Sequence, residues 1–265
     1  MTIGADITTA GHVQIDNVSV SFLKSDGELA SALLPTSLDL PPGSFTALIG
    51  PSGSGKSTLL NAIAGFIAPS SGQIKLDGRA YTEPSSDIGV VFQQYALFPW
   101  FTARGNIEFA LGRLSLNRHQ TREKALAILN EIGLKNHAET YPEQLSGGMK
   151  QRVAIGRTLA CEPKVLLLDE PFGALDAQTR LGMHAFLEKI LDAHPLTTLL
   201  VTHDVDEAIN LADSVCVMSH SPGRIVKKYN VSDYTDYGFN SPDATIKQLR
   251  AEILEHLKLD LESQT

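Results

Sequence analysis

The sequence predicts an α/β protein in which a mixed sheet carries an antiparallel β subdomain and an inserted helical subdomain. Three observations predict it. Near the N-terminus apolar and polar side chains alternate, as in a half-exposed strand; after Ile49 a glycine-rich turn opens a helix; and from Val165 onward short, wholly apolar runs alternate with helical stretches. That last order implies a parallel sheet wrapped by helices.

The elements follow in order. Val13 to Phe22 places Val13, Ile15, Val18, Val20 and Phe22 in alternation, with a slip near Asp16-Asn17, as expected of a strand with one buried face. Ser37 to Leu40 and Ser44 to Ile49 read as further strands, parted by the turn Pro41-Pro42-Gly43. A helix is expected from about Lys56 to Ala64, then strands at Gln73 to Leu76 and Ile88 to Phe92. From about Ala103 to Ala160 helical spacing dominates, including Arg122 to Ile132 with its stripe Ala125, Leu126, Ile128, Leu129 and Ile132. Val165 to Leu168 is short and wholly apolar, a strand buried on both faces. Leu196 to Thr202 and Ser214 to Met218 repeat it, with helices from about Ala177 to Ala193 and Val205 to Leu211. Ile246, Leu249, Ile253 and Leu257 lie at helical spacing. The polar face of this last helix mixes both signs of charge, so core packing rather than a membrane contact is expected. The expected boundaries are one domain over 12–231, with core 12–93 and 161–231 around a helical subdomain at about 94–160, and a helical extension over 232–265.

Composition narrows the function. At 265 residues the chain can bury a sizeable core, and 43% hydrophobic with 20% charged residues is globular usage. The formal charge of -8 disfavours a broad nucleic-acid surface, where basic residues must displace counterions. No apolar run approaches the roughly 18 to 20 residues that span a bilayer, and Met1 to His12 lack the pattern of a signal peptide, so a soluble, cytoplasmic protein is expected. Cys161 and Cys216 lie in apolar settings without metal-ligand spacing, which points to buried small hydrophobes rather than zinc ligands or a disulfide.

The chemistry begins at Gly50-Pro51-Ser52-Gly53-Ser54-Gly55-Lys56-Ser57-Thr58, which fits Gly, four residues, Gly-Lys-Ser/Thr between a strand and a helix. Glycines let the backbone curl so that successive N–H groups face an anion, and the helix N-terminus adds its partial positive charge. Lys56 is positioned to reach the β- and γ-phosphates of a nucleotide and Ser57 to ligate Mg²⁺, which makes the core a P-loop NTPase; the cradle alone suits a kinase, a GTPase or a motor, and the acids at the end of a later strand narrow the choice. Asp169, at the end of a buried strand, suits the Mg²⁺ hydration shell, and Glu170, one residue on, suits polarising the attacking water. Ser146-Gly147-Gly148, within Leu145 to Arg152, open a second helix as a further anion-binding N-terminus.

With that string the chain resembles the ABC ATPase subunits, over roughly Val13 to Val231 and in the family's motif order. The resemblance implies that Ser146, Gly147 and Gly148 form the signature sequence, and that Phe22 stacks on adenine. It implies that Gln93, after Gly89-Val90-Val91-Phe92, is the Q-loop glutamine contacting Mg²⁺ and water. Asp176, ending Gly173-Ala174-Leu175-Asp176, matches the D-loop, and His203 matches the switch histidine that faces the γ-phosphate. Read alone, Phe22 is equally a core aromatic, Gln93 an ordinary loop residue and His203 a satisfied strand-end histidine. In that family the signature of one subunit caps the ATP held by another, so a second copy of this chain is an expected partner. Phe98-Pro99-Trp100, the stretch Glu170 to Asp176 and Ser221-Pro222-Gly223-Arg224-Ile225 resemble importer subunits for nitrate, sulfonate and taurine. The aromatic stretch Tyr95 to Thr102 reads either as a buried cluster or as part of the groove for a permease's coupling helix. The family often has an acid where Gly105 stands. The implied function is ATP hydrolysis powering import of a small anion through integral membrane permease subunits, served indirectly by a periplasmic or extracellular solute-binding protein, at the cytoplasmic face of the inner membrane. A non-transport ABC ATPase acting on ribosomes or DNA is the competing class; the chain has neither a second cassette nor a long coiled coil, and its acidity disfavours nucleic acid as a partner.

Overall fold

The structure, a computed structural model, describes residues 10–25, 27–231 and 244–262. In chain order it contains β1 (Val13–Leu23), β2 (Leu29–Leu40), β3 (Phe45–Ile49), α1 (Lys56–Ile63), β4 (Ser71–Leu76), β5 (Arg79–Ala80) and β6 (Ile88–Val91). There follow α2 (Ala103–Leu111), α3 (Arg118–Glu131), α4 (Gly147–Leu159), β7 (Val165–Asp169), α5 (Ala177–Ala193), β8 (Thr197–Thr202), α6 (Val205–Leu211), β9 (Ser214–Met218), β10 (Ile225–Asn230) and α7 (Ala244–Glu262). The chain divides into two compact units: the described residues of one are Ser86–Pro195, and those of the other lie within Thr9–Ser85 and Leu196–Thr265.

The second of these units is built on two sheets. An antiparallel sheet runs in the order β2-β1-β4-β5, and β3 pairs in parallel with both β8 and β9, with β10 antiparallel on β9. Every residue of β3, β8 and β9 is buried, as strands covered on both faces require. The slip in β1 is a β-bulge: the register shifts between Ile15 and Val18, and Asn17 takes φ 49°. The inserted residue moves the buried positions from odd (Val13, Ile15) to even (Val18, Val20), so one face stays buried through the bulge. β2 begins eight residues before the expected Ser37; Pro35 obscures it, yet β2 lies at the sheet edge, where a missing N–H breaks no ladder. β10 lacks a clear sequence signal for a related reason, since an exposed edge strand carries Lys227 and Lys228 rather than an apolar run.

In the other unit β6 and β7 pair in parallel, Ile88 opposite Val165 through Val91 opposite Leu168, and this unit also holds α2 to α5. α3 starts at Arg118, ahead of the expected Arg122, because Asn117 and Gln120 form a capping box: the Asn117 side chain accepts from the Gln120 N–H at 3.0 Å and Gln120 accepts from the Asn117 N–H at 2.9 Å. Of its stripe, Ala125, Ile128, Leu129 and the following Ile132 are buried, while Leu126 is half-buried.

Leu249 and Ile253 of α7 are buried, as core packing of that helix demands; residues 232–243 and 263–265 of the expected extension, like the N-terminal residues 1–9, lie outside the described residues. Cys216 is buried, and burial pushes its thiol up to about 11. Cys161, in contrast to the expectation, is half-exposed, because it stands in the turn after α4. Among the described residues no helix is long and apolar enough to cross a membrane.

Candidate nucleotide site

The phosphate loop runs from the end of β3 to the start of α1. Gly55, its last residue before the helix, takes φ 84°, and a side chain there would press on the Ala32 carbonyl at 2.8 Å. No side chain caps α1 and no acid lies in its first turn. Helices α2 to α6 differ, being capped by Thr102, Asn117, Ser146, Asp176 and Asp204. At α1 the first backbone N–H groups and the positive end of the helix dipole are therefore directed to the loop rather than to a side-chain oxygen. Lys56 is buried, and its ammonium donates to the carbonyls of Gly50 at 2.9 Å and Pro51 at 2.8 Å, curling back across the loop. Ser52, Gly53 and Ser57 are exposed, and Thr58 is half-buried.

Sequence reasoning missed the backing of this loop. Gly223, in the stretch between β9 and β10, accepts from Leu34 N–H at 2.8 Å and donates to the Ala32 carbonyl at 3.2 Å. A Cβ at Gly223 would lie 1.7 Å from the Ser54 carbonyl oxygen, so this glycine is what lets the two backbones touch. The signal was present in Ser221 to Ile225, read there only as a subgroup mark. His203 directly follows β8 and is exposed, and Phe22 near the end of β1 is 45% exposed, so Phe22 is not a core aromatic.

The remaining predicted residues belong to the other unit. Asp169 ends β7, and Glu170 beside it takes φ 44°, a left-handed conformation that costs a non-glycine residue free energy and recurs at functional positions. Gln93 and Glu170, distant in sequence, are brought together around Gly173: a Cβ on that glycine would stand 3.4 Å from Gln93 Nε2 and 3.7 Å from Glu170 Oε2. Ser146 accepts from the Met149 N–H at 3.3 Å and so caps α4. Gly147 is hemmed by the Tyr95 hydroxyl and Leu175, each 3.1 Å from where a Cβ would sit, and Gly148 by Thr179 at 2.8 Å. Asp176 caps α5, accepting from the Thr179 N–H at 2.9 Å and its hydroxyl at 2.7 Å; these bonds, the backbone one first, hold its carboxyl below the usual carboxylate range.

Tyr95 and Ala96 also have left-handed φ, 56° and 48°. Arg157 of α4 donates to the Ala96 carbonyl at 2.6 Å and lies 5.5 Å from the Phe98 ring. Asn106 is fully buried; its side chain accepts from the Phe98 N–H and donates to the carbonyls of Phe98, Phe101 and Thr102. The loop so fixed displays a cluster in which Phe98 meets Trp100 at 5.6 Å and Phe109 at 4.5 Å between ring centres. Trp100 is 67% and Phe109 58% exposed, so the cluster is a surface feature and not a buried one.

Residues 33–173 match the profile described as ABC transporter. The chain belongs to the ABC transporter family. It is 46% identical over 221 residues to the nitrate import ATP-binding protein NrtD of Synechocystis sp., covering 83% of each chain. It is 41% identical over 253 residues to the taurine import ATP-binding protein TauB of Rhizobium johnstonii, covering 95% of this chain and 97% of that protein. Among solved structures it is similar to the dimeric structure of MJ0796, a bacterial ABC transporter cassette, with a TM-score of 0.73 and 33% identity over 83% of this chain and 98% of that one. The same cassette in a post-hydrolysis state bound to ADP and Pi matches with a TM-score of 0.72. The P-loop NTPase fold expected from the sequence is thus the fold of an ABC ATPase cassette.

Overpacking a tight backbone contact costs on the order of 1–3 kcal/mol. Gly223→Ala is therefore expected to weaken ATP binding about tenfold, read by fluorescent-nucleotide titration with the far-UV spectrum retained. Unchanged affinity would mean that the loop does not depend on this contact.

Proposed function

We infer that this ABC ATPase is the motor subunit of an importer, binding and hydrolysing ATP to drive uptake of a small oxyanion or sulfonate through a separate membrane permease. The observation that carries the reading is the uncapped α1 behind a curled loop with Lys56 across it, in a chain whose relatives are named as nitrate, taurine and bicarbonate import or transport ATP-binding proteins. Nothing in those relatives favours action on ribosomes or DNA.

The roles follow from chemistry. Phe22 offers an exposed face to adenine, residues 50–58 cradle the phosphates, and Lys56 bears on the β- and γ-phosphoryl oxygens. Glu170 orients the attacking water and accepts its proton density, while His203 contacts the γ-phosphate. Ser57, Gln93 and Asp169 are the oxygen donors that would hold Mg²⁺. Such a hard ion would take these few protein oxygens together with water and substrate phosphates rather than a protein cage. The ion supplies charge neutralisation at the transferring phosphoryl group. Ser146, Gly147, Gly148 and Asp176 serve the ATP of a second copy, so the working unit is a dimer seated peripherally on permease subunits at the cytoplasmic face, with a solute-binding protein delivering cargo from outside. The cluster of Phe98, Trp100, Phe101 and Phe109, exposed at Trp100 and Phe109, is the surface offered to the permease.

Two outcomes test this. Removing a charge-assisted contact costs about 1.5–3 kcal/mol, so Lys56→Ala is expected to weaken ATP binding roughly ten- to hundredfold in equilibrium titration; wild-type affinity would contradict the assignment. Trp100→Ala is expected to abolish copurification of an integral membrane protein while leaving the isolated subunit's ATPase activity intact. Retained copurification would place the permease contact elsewhere.

A further inference from the structure

The C-terminal helix α7 lies beyond residues 33–173 matched by the family profile, yet it grips the segment that carries His203. The bonds around that histidine form a short closed circuit. The Thr202 hydroxyl accepts from the Asp204 N–H at 3.0 Å and donates to the buried Glu207 carboxylate at 2.7 Å. The Asp204 carboxylate in turn caps α6, accepting from the N–H groups of Asp206 at 2.9 Å and Glu207 at 3.2 Å. His203 sits between the two residues that close this circuit, so its backbone moves only if the first turn of α6 moves.

That turn crowds three carboxylates, Asp204, Asp206 and Glu207, into four residues. Arg250 of α7 meets them with a two-pronged fork: its Nε donates to Asp206 Oδ1 at 2.6 Å and its Nη2 to Asp206 Oδ2 at 3.1 Å. A bidentate guanidinium fixes direction as well as charge. The fork is not what docks the helix. Leu249 and Ile253 are buried, and Tyr229 and His256 share a hydrogen bond of 2.8 Å, so α7 stays in place without Arg250. Nor does the fork add much stability, since both side chains are about half exposed and solvent screens them. What it does uniquely is neutralise and orient Asp206 two residues from Asp204, at the end of α6 next to His203.

We propose that Arg250 is a positioning residue for hydrolysis, holding the first turn of α6 so that His203 is presented in register with the γ-phosphate. The inference rests on the reading of His203 as the switch residue. Phe22 and the phosphate loop are untouched by the fork, so substrate binding is independent of it and only turnover responds. Misplacement of a catalytic group by a fraction of an ångström to 1 Å lowers rate by up to about a hundredfold, and a loosened turn falls within that range.

The test is steady-state ATPase kinetics on the full chain with Arg250→Ala, Arg250→Lys, His203→Ala and the double variant of Arg250→Ala with His203→Ala, alongside thermal midpoints. Arg250→Ala is expected to lower kcat about five- to tenfold with KM for ATP and the thermal midpoint unchanged. Arg250→Lys, which keeps the charge but loses the fork, is expected to restore only part of the loss, and the double variant to be no slower than His203→Ala alone. Raising salt is expected to bring the wild type toward the Arg250→Ala rate, because an exposed ion pair is screened. Unchanged kcat in Arg250→Ala, with His203→Ala inactive, would overturn the proposal and leave the switch reading standing. A fall in kcat accompanied by an equal fall in thermal midpoint, unrelieved by Arg250→Lys, would overturn it in favour of a purely structural role. Wild-type turnover by His203→Ala would remove the switch reading itself, and this inference with it.

Discussion

Between Ile49 and Lys56 the backbone must turn tightly enough to aim successive N–H groups inward, and that curl is sustained by close contact on two sides. On one side the Ser54 carbonyl rests against Gly223, where even a methyl group would overlap it at 1.7 Å. On the other, Gly50 lies where a Cβ would be 3.0 Å from the Met218 carbonyl and 2.9 Å from the Ser54 hydroxyl. The buried strands β3, β8 and β9 supply the rigid floor. Lys56 then bonds the carbonyls at the loop's entry, which turns a flexible glycine-rich stretch into a defined cradle. The uncapped α1 and the exposed Ser57 depend on that curl for the phosphate-holding role proposed for them.

Strain marks the other half of the machinery. Glu170, Tyr95 and Ala96 all hold left-handed conformations without being glycine, and the last two are held by contacts to α4. Tyr95 abuts Gly147 at the start of the signature helix, and Ala96 accepts from Arg157 farther along that same helix. Phe98 in turn packs near Arg157 and is bonded at its backbone by Asn106. One helix therefore touches the loop after Gln93 at two points, and that loop ends in the exposed aromatic cluster. Under the roles proposed above, these contacts join the start of α4 to the aromatic cluster without a break, the kind of packed connection that coupling between the two would need.

How much of this was legible in the sequence depended on whether the deciding force was local. Helices α5 and α6 and strand β9 lie at the expected residues because their apolar periods and flanking caps agree. The phosphate loop, Asp169-Glu170 and the signature string were legible because anion chemistry demands particular residues at fixed spacing. What escaped was set by tertiary context. Pro35 is tolerated only because β2 is an edge strand, and Gly223 matters only because Ser54 lies against it; the exception is the Asn117–Gln120 box, a local pattern that marks the start of α3 in the sequence itself. Phe22 and the Trp100 cluster could be read as core or as surface until their exposure was known. Arg250 gave no sequence signal at all, since a lone arginine on a mixed-charge helix face looks like ordinary solvation.

On the proposed roles the chain is half of a machine, Lys56, Asp169, Glu170 and His203 acting on one ATP and Ser146 to Gly148 on the ATP of a partner copy. Differential affinity of ATP for the closed pair is what can move a permease. Counting ATP molecules occluded per dimer in mixed dimers tests this most directly, with Lys56→Ala and Ser146→Arg placed either on one chain or split between the two, in a Glu170→Gln background that slows hydrolysis. Shared sites predict one occluded ATP when the lesions are split and none when both are on one chain. The reverse pattern, one ATP with both lesions on one chain and none when they are split, would contradict the account, because each site would then be built from a single chain.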